Sequence, residues 1–106
     1  MAHYLVRAVP KASRMAKLAS ALDADAFVEL QPFGRALTRS LRDARVEPGG
    51  EALWEEEDYC TPPLAQERDA VLDDYFEHIR VEPVAEGEGW RQISHLPHLF
   101  PGLHSF

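Results

Sequence analysis

Four acids in a row, Glu55-Glu56-Glu57-Asp58, follow Trp54 and lead into Tyr59 in a stretch that otherwise reads as a β-strand. Successive strand side chains point to opposite faces of a sheet, so some of these carboxylates must face whatever core the sheet encloses. An isolated buried carboxylate is too costly to stay charged; it finds a cation or takes a proton. Three outcomes are open. The strand stops near Glu55, or arginine pairs with the buried acids, or a carboxyl with a shifted pKa makes a working site.

The surroundings of the run favour a hairpin. Pro48-Gly49-Gly50 is a turn signal, with Glu51 to Tyr59 as the strand after it and Arg39 to Val46 as the strand before it. A two-residue Gly49-Gly50 turn sets Val46 opposite Leu53, Arg42 opposite Glu57 and Asp43 opposite Glu56, with Arg39 and Arg45 diagonal to the acidic pair. Phe33, Leu37, Leu41 and Ala44 are at helical spacing, so a helix over 33–44 competes with that strand. The strand from Leu37 or Arg39 is preferred, because the Gly-Gly turn and the strand after it need a partner. Downstream, Thr61 precedes two prolines and is placed to cap a helix starting at Pro62. Its apolar stripe is Leu64, Val71, Leu72, Tyr75, Phe76 and Ile79. Gln66, Asp69, Asp73 and Glu77 fall on the other side, as a solvated face or an acidic docking surface, and His78 lies near the helix's negative end.

His3 to Val9 alternates as a strand, with Tyr4, Val6 and Ala8 on one face and His3, Leu5 and Arg7 on the other. Lys11 to Leu22 carries a helical stripe of Ala12, Met15, Leu18, Ala19 and Leu22, and a basic line of Lys11, Arg14 and Lys17. Asp25 is placed to cap a short helix through Leu30 that stops before Pro32. Arg80 to Ala85 reads as an edge strand because of Pro83. Gly87 and Gly89 release the chain into Trp90 to Phe106, which is too apolar for a disordered tail. The expected organisation is a domain over residues 1–85 with an apolar extension over 86–106, packed on the domain or on a partner subunit.

A chain of 106 residues supports one core. No apolar run is long enough for a membrane helix and no signal-peptide pattern opens the sequence, so a cytoplasmic protein with no membrane partner is expected. The single Cys60 excludes an internal disulfide and suits a reducing compartment. Net charge is −7, split as +3 over residues 1–50 and −10 over residues 51–106, which lets N-terminal arginines lie against C-terminal acids and argues against nucleic acid.

Cys60 precedes a helix N-terminus, which lowers a thiol's pKa, but four adjacent acids push it up and argue against a nucleophile. His95, His98 and His104 lack the spacing and the neighbouring acids of a metal centre, so neither a metal nor a cofactor is expected. No P-loop, dinucleotide-binding glycine pattern or nucleophile elbow occurs. Trp54 and Tyr59 flank the acids, as core rings or as the wall of a small-molecule site.

The order strand, helix, strand, strand, helix, strand is that of a ferredoxin-like α+β domain: a βαββαβ antiparallel sheet with two helices on one face, followed here by the C-terminal extension. It resembles the dimeric α+β barrel superfamily over about residues 3–85, by element order. That resemblance implies a homodimer, with bare sheet faces packed together, and a small-ligand cavity. The functional expectation is a small organic molecule bound or transformed on the open sheet face. Glu56 or Asp58 would act as acid or base, Arg39 or Arg45 would hold an anionic group, and Trp54 and Tyr59 would form the wall. The alternative is a non-catalytic module that engages another protein through its acidic second helix and apolar tail.

Overall fold

Alternation at the N-terminus produces the central strand of the sheet. The computed structural model describes residues 2–103; His104 and Phe106, assigned above to the histidine group and the tail, lie outside the described residues. Strand β1, Ala2–Pro10, runs antiparallel to two neighbours: β3, Ala52–Asp58, and β4, Phe76–Val84. A two-residue strand β2, Arg45–Val46, completes an antiparallel sheet of order β2-β3-β1-β4. Helix α1 is Met15–Asp23, entered through a 3₁₀ turn, and α2 is Gly34–Arg42. Ala65–Glu67, a π turn over Arg68–Leu72 and Asp73–Tyr75 run together as α3, and Glu88–Ile93 forms α4. The chain is therefore α+β, with a second helix between β1 and β2 and a further short helix after β4 that the expected βαββαβ order lacks.

Each face of the sheet finds its own cover. Val6 and Ala8 of β1 and Ala52 and Trp54 of β3 share a core with Leu18, Leu22, Leu37, Leu41, Leu64 and Leu72 of the helical layer. Burying each of these leucines is worth about 1.5–3 kcal/mol before entropy is counted. Leu5 and Leu53 point the other way, onto Ile93, with Trp90 and Leu96 packed beside them. The second face is thus not bare, as the sequence reading has it. The chain's own α4 lies over it.

The strand expected over residues 39–46 is helical over its first half, 39–42. Leu37 and Leu41 are completely buried and Gly34 sits so close to the carbonyl of Phe27 that a Cβ there would come within 2.2 Å of its oxygen. Docking of that apolar stripe outweighs the demand of β3 for a long partner, and β2 keeps only Arg45 and Val46. Arg42 and Asp43 lie outside the pairing of β2 with β3. Val46 lies opposite Ala52 and Arg45 opposite Leu53, one residue away from the expected register. The cause is a three-residue turn, Pro48-Gly49-Gly50: the Glu47 amide bonds to the Glu51 carbonyl, and Gly50, at φ +94°, closes the loop.

Two other boundaries differ. Thr61 does not cap a helix at Pro62; α3 starts at Ala65, after Leu64 in the left-handed region at φ +64°, because the Asp58 carboxylate draws the Cys60 and Leu64 amides onto itself. The helix also stops at Tyr75, so Phe76 and Ile79 belong to β4, and His78 occupies a β-bulge at φ +51° instead of a helix end. Asp25, also at positive φ, lies in a run of turns and caps no helix. The basic line of α1 is partly spent inside the fold. Lys11 and Arg14 donate to the Asp73 and Asp74 carbonyls at the C-terminal end of α3, where a positive charge complements the helix dipole. No helix among the described residues is long and apolar enough to cross a membrane.

Candidate functional site

The acidic run is central and buried, but arginine does not hold it. Glu55, Glu56 and Asp58 are buried and Glu57 is exposed. Glu55 shares the second face with Leu5 and Leu53, where the amides of Gly87, Gly89 and Trp90 donate to it at 2.8, 2.8 and 3.3 Å, with His3 Nδ1 at 3.5 Å. Gly89 is needed because a Cβ there would lie 2.9 Å from Glu55 Oε1. Glu55 therefore anchors the start of α4. The two glycines read as chain release form the cradle.

Glu56 points into the main core. Its Oε1 accepts a hydrogen bond from Trp54 Nε1 at 3.1 Å, and its Oε2 faces no donor. Burial, followed by the negative charge of Glu67, pushes this carboxyl well above its ordinary pKa; the Trp54 bond only partly opposes them. Burial thus favours the protonated form of Glu56.

Asp58 ends β3 at the mouth of α3. Its Oδ2 accepts the Cys60 amide at 3.1 Å and the Leu64 amide at 2.6 Å. Burial raises its pKa, but the Leu64 amide and hydrogen bonds from Glu67 and Cys60 outweigh burial and hold it below the ordinary value. Glu67, in the first turn of α3, is 1% exposed and goes the other way. Burial and the hydrogen bond to Asp58 lift it to about 7. The two carboxyls form a pair whose pKa values are pushed apart: Asp58 is the ionised member and Glu67 the one that titrates near neutrality. Cys60 Sγ lies 3.8 Å from Glu67 Oε1. A backbone bond from Gln66 lowers the thiol's pKa, but burial, Asp58 and Glu67 together raise it, so Cys60 is a thiol at neutral pH.

This group lines a cavity of about 280 Å³ between α2, the end of β3 and the start of α3, with Phe33 and Tyr59 as aromatic walls. Tyr59 is 71% exposed and donates its hydroxyl to Glu57 at 3.1 Å, which raises the phenol's pKa.

Of the residues singled out from sequence, Asp58 and Tyr59 meet in this cavity. Glu56 lies behind it. Trp54 is fully buried and packs on Phe76 with ring centroids 5.1 Å apart, so it supports the core instead of walling the cavity. Arg45 donates to the carbonyls of Ser94 and Leu96 at 3.0 and 2.6 Å, fastening the tail to β2. Arg39 is exposed and lines a neighbouring hollow of about 290 Å³ with Glu55 and Glu57, with no ion pair to either among the described residues. The expected guanidinium clamp on the acidic run is therefore absent there. The residue that sequence reasoning missed is Glu67. Its signal was available: it sits three residues after Leu64 and four before Val71, in the apolar stripe itself. Among the described residues His95 and His98 belong to no group of three potential metal donors, whereas Asp58, Cys60 and Glu67 form one.

Comparison with family models, with curated proteins and with solved structures gives no match.

Proposed function

We propose that the domain binds a small organic molecule bearing a protonated amine or several hydrogen-bond donors, in the cavity between α2 and α3. One observation carries this reading. The lining combines the carboxyls of Glu57, Asp58 and Glu67 with the rings of Phe33 and Tyr59, with no lysine, arginine or histidine among the described lining residues. Carboxylates supply an attractive field, and an aromatic face adds about 0.5–2 kcal/mol for a cation placed over it. This moves the ligand site from the open sheet face to the helix side of β3, and it reverses the expected ligand charge, because the arginines meant to hold an anion lie elsewhere.

The site suits a small ligand better than a protein partner. The apolar tail that would have been an arm for another protein is packed on the chain's own sheet through Trp90, Ile93 and Leu96. The ferredoxin-like dimer stays a proposal of second rank, since the face it would use carries α4.

The test is calorimetric titration with matched pairs of arylalkyl amines and arylalkyl carboxylic acids. Amines are expected to bind and acids not. Ala36→Trp, which fills the mouth, should abolish binding, and Glu57→Lys should weaken amines while admitting acids. Equal binding of both charge types, or binding indifferent to Ala36→Trp, refutes the reading.

A further inference from the structure

We propose that Asp58, Cys60 and Glu67 form a binding site for a divalent transition-metal ion, zinc before others, on the inner wall of this cavity. The inference concerns the same cavity but rests on different observations from those that carry the organic ligand argued above.

The donors are already gathered: one ligand atom from each residue lies within 4.8 Å of the other two. A tetrahedral zinc site with Zn–S of about 2.3 Å and Zn–O of about 2.1 Å puts its donors roughly 3.4–3.7 Å apart. Cys60 Sγ and Glu67 Oε1, at 3.8 Å, are nearly there, and closing the rest requires a contraction of roughly an ångström. The three donors lie within ten residues of one another, at the end of β3, in the loop after it and in the first turn of α3.

A second observation points to a ligand. Glu67 is 1% exposed and lines the cavity, yet its Oε2 meets no donor group. Its neighbour Asp58, hydrogen-bonded to the Glu67 side chain, is itself an acceptor when ionised. Two acceptors in contact need a proton or a cation between them. Behind them Glu56 Oε2 also faces no donor. Meanwhile Asp58 Oδ2 is fixed by the Cys60 and Leu64 amides, which orients the carboxylate in the way that outer hydrogen bonds orient metal ligands.

The donor set selects the ion. One sulfur with two carboxylates suits zinc and its neighbours in the transition series, whereas magnesium and calcium prefer all-oxygen sites with more ligands. Three protein donors would leave a fourth position for water or a ligand from the cavity.

Cobalt(II) reports directly on the sulfur. Titrated into the metal-free full chain, it should produce a thiolate-to-cobalt charge-transfer band in the near ultraviolet, which zinc then displaces. Cys60→Ser should abolish the band. In competition with a chromophoric chelator, both Cys60→Ser and Glu67→Gln should weaken zinc by about tenfold or more. Asp69→Asn, an exposed change on α3, should do neither, and circular dichroism confirms that each variant is folded. A folded wild-type chain with no band overturns the proposal. So does zinc affinity that survives Cys60→Ser or Glu67→Gln. Loss of amine binding with the cobalt band intact refutes the organic-ligand reading alone, and the converse refutes the metal site alone.

Discussion

Glu67 shows how one buried carboxyl sets a pH dependence for the whole fold. Its native pKa of about 7 lies above the ordinary value of 4.5. Between those values the native chain keeps a proton that the unfolded chain has released. The stabilisation is therefore complete below about pH 4.5 and is lost as pH rises through 7. The whole effect is on the order of 3 kcal/mol at most. Asp58, with its lowered pKa, contributes in the opposite sense, and that contribution fades only as pH falls below its ordinary 3.8. Melting temperature should thus fall between pH 5 and pH 8. Glu67→Gln, which keeps the shape without the charge, should flatten much of that fall and raise the melting point at pH 8. Glu56, raised for similar reasons, leaves a residual slope in the variant. An unchanged slope would show that Glu67 is not the group concerned. The signal for this residue was in the sequence, because an acid on an apolar stripe is out of pattern. Its partner was not, because Asp58 reaches it only through the loop of residues 59–64, whose path depends on two amides turning back onto a side chain.

At the level of elements, what was legible followed from local periodicity, and what was not depended on packing between distant segments. Strand β1 was readable because its alternation carries two apolar sets, Val6 and Ala8 on one face and Leu5 on the other, and both are used. Residues 33–44 satisfied two patterns at once, and the contact of Gly34 with the Phe27 carbonyl, invisible locally, settled them as a helix. The turn at Pro48-Gly49-Gly50 was recognisable, but its length was not, and one residue of loop shifts every cross-strand pair. The Glu55 cradle was equally hidden, since it joins a strand to glycines more than thirty positions away. It makes a sharp prediction. Gly89→Ala puts a methyl group against Glu55 Oε1 and should break two of the three amide bonds to that carboxylate, at a cost of about 2–4 kcal/mol. Hydrogen exchange should then show residues 87–93 opening well before the central strands. If the variant melts as the parent does and α4 stays protected, the cradle contributes little.

On the scale of the molecule, the sheet divides the chain between two jobs. One face rests on α1, α2 and α3 and holds the large core together with the carboxyl cavity at its edge. The other carries the small cluster of Leu5, Leu53 and Ile93 with Val84, Trp90 and Leu96 packed against it, and charged pairs such as Arg7 with Glu47 and Arg80 with Glu51 lie nearby. An antiparallel sheet can leave one face in water, but here six residues of α4 cover part of the second face. So short a helix has little stability of its own and stays in place through Ile93, Trp90 and the Glu55 anchor. Ile93→Asp removes the centre of that contact. It should destabilise the fold by about 3 kcal/mol or more and expose Leu5 and Leu53 as an apolar patch. The consequence is association: sedimentation velocity should show the variant moving from its parent's sedimentation coefficient to larger, concentration-dependent species, while Glu82→Gln, an exposed change on β4, leaves it unchanged. If Ile93→Asp sediments as the parent does and keeps its melting point, α4 is not the cover of the second face, and that face is free for the partner sheet that the element order first suggested.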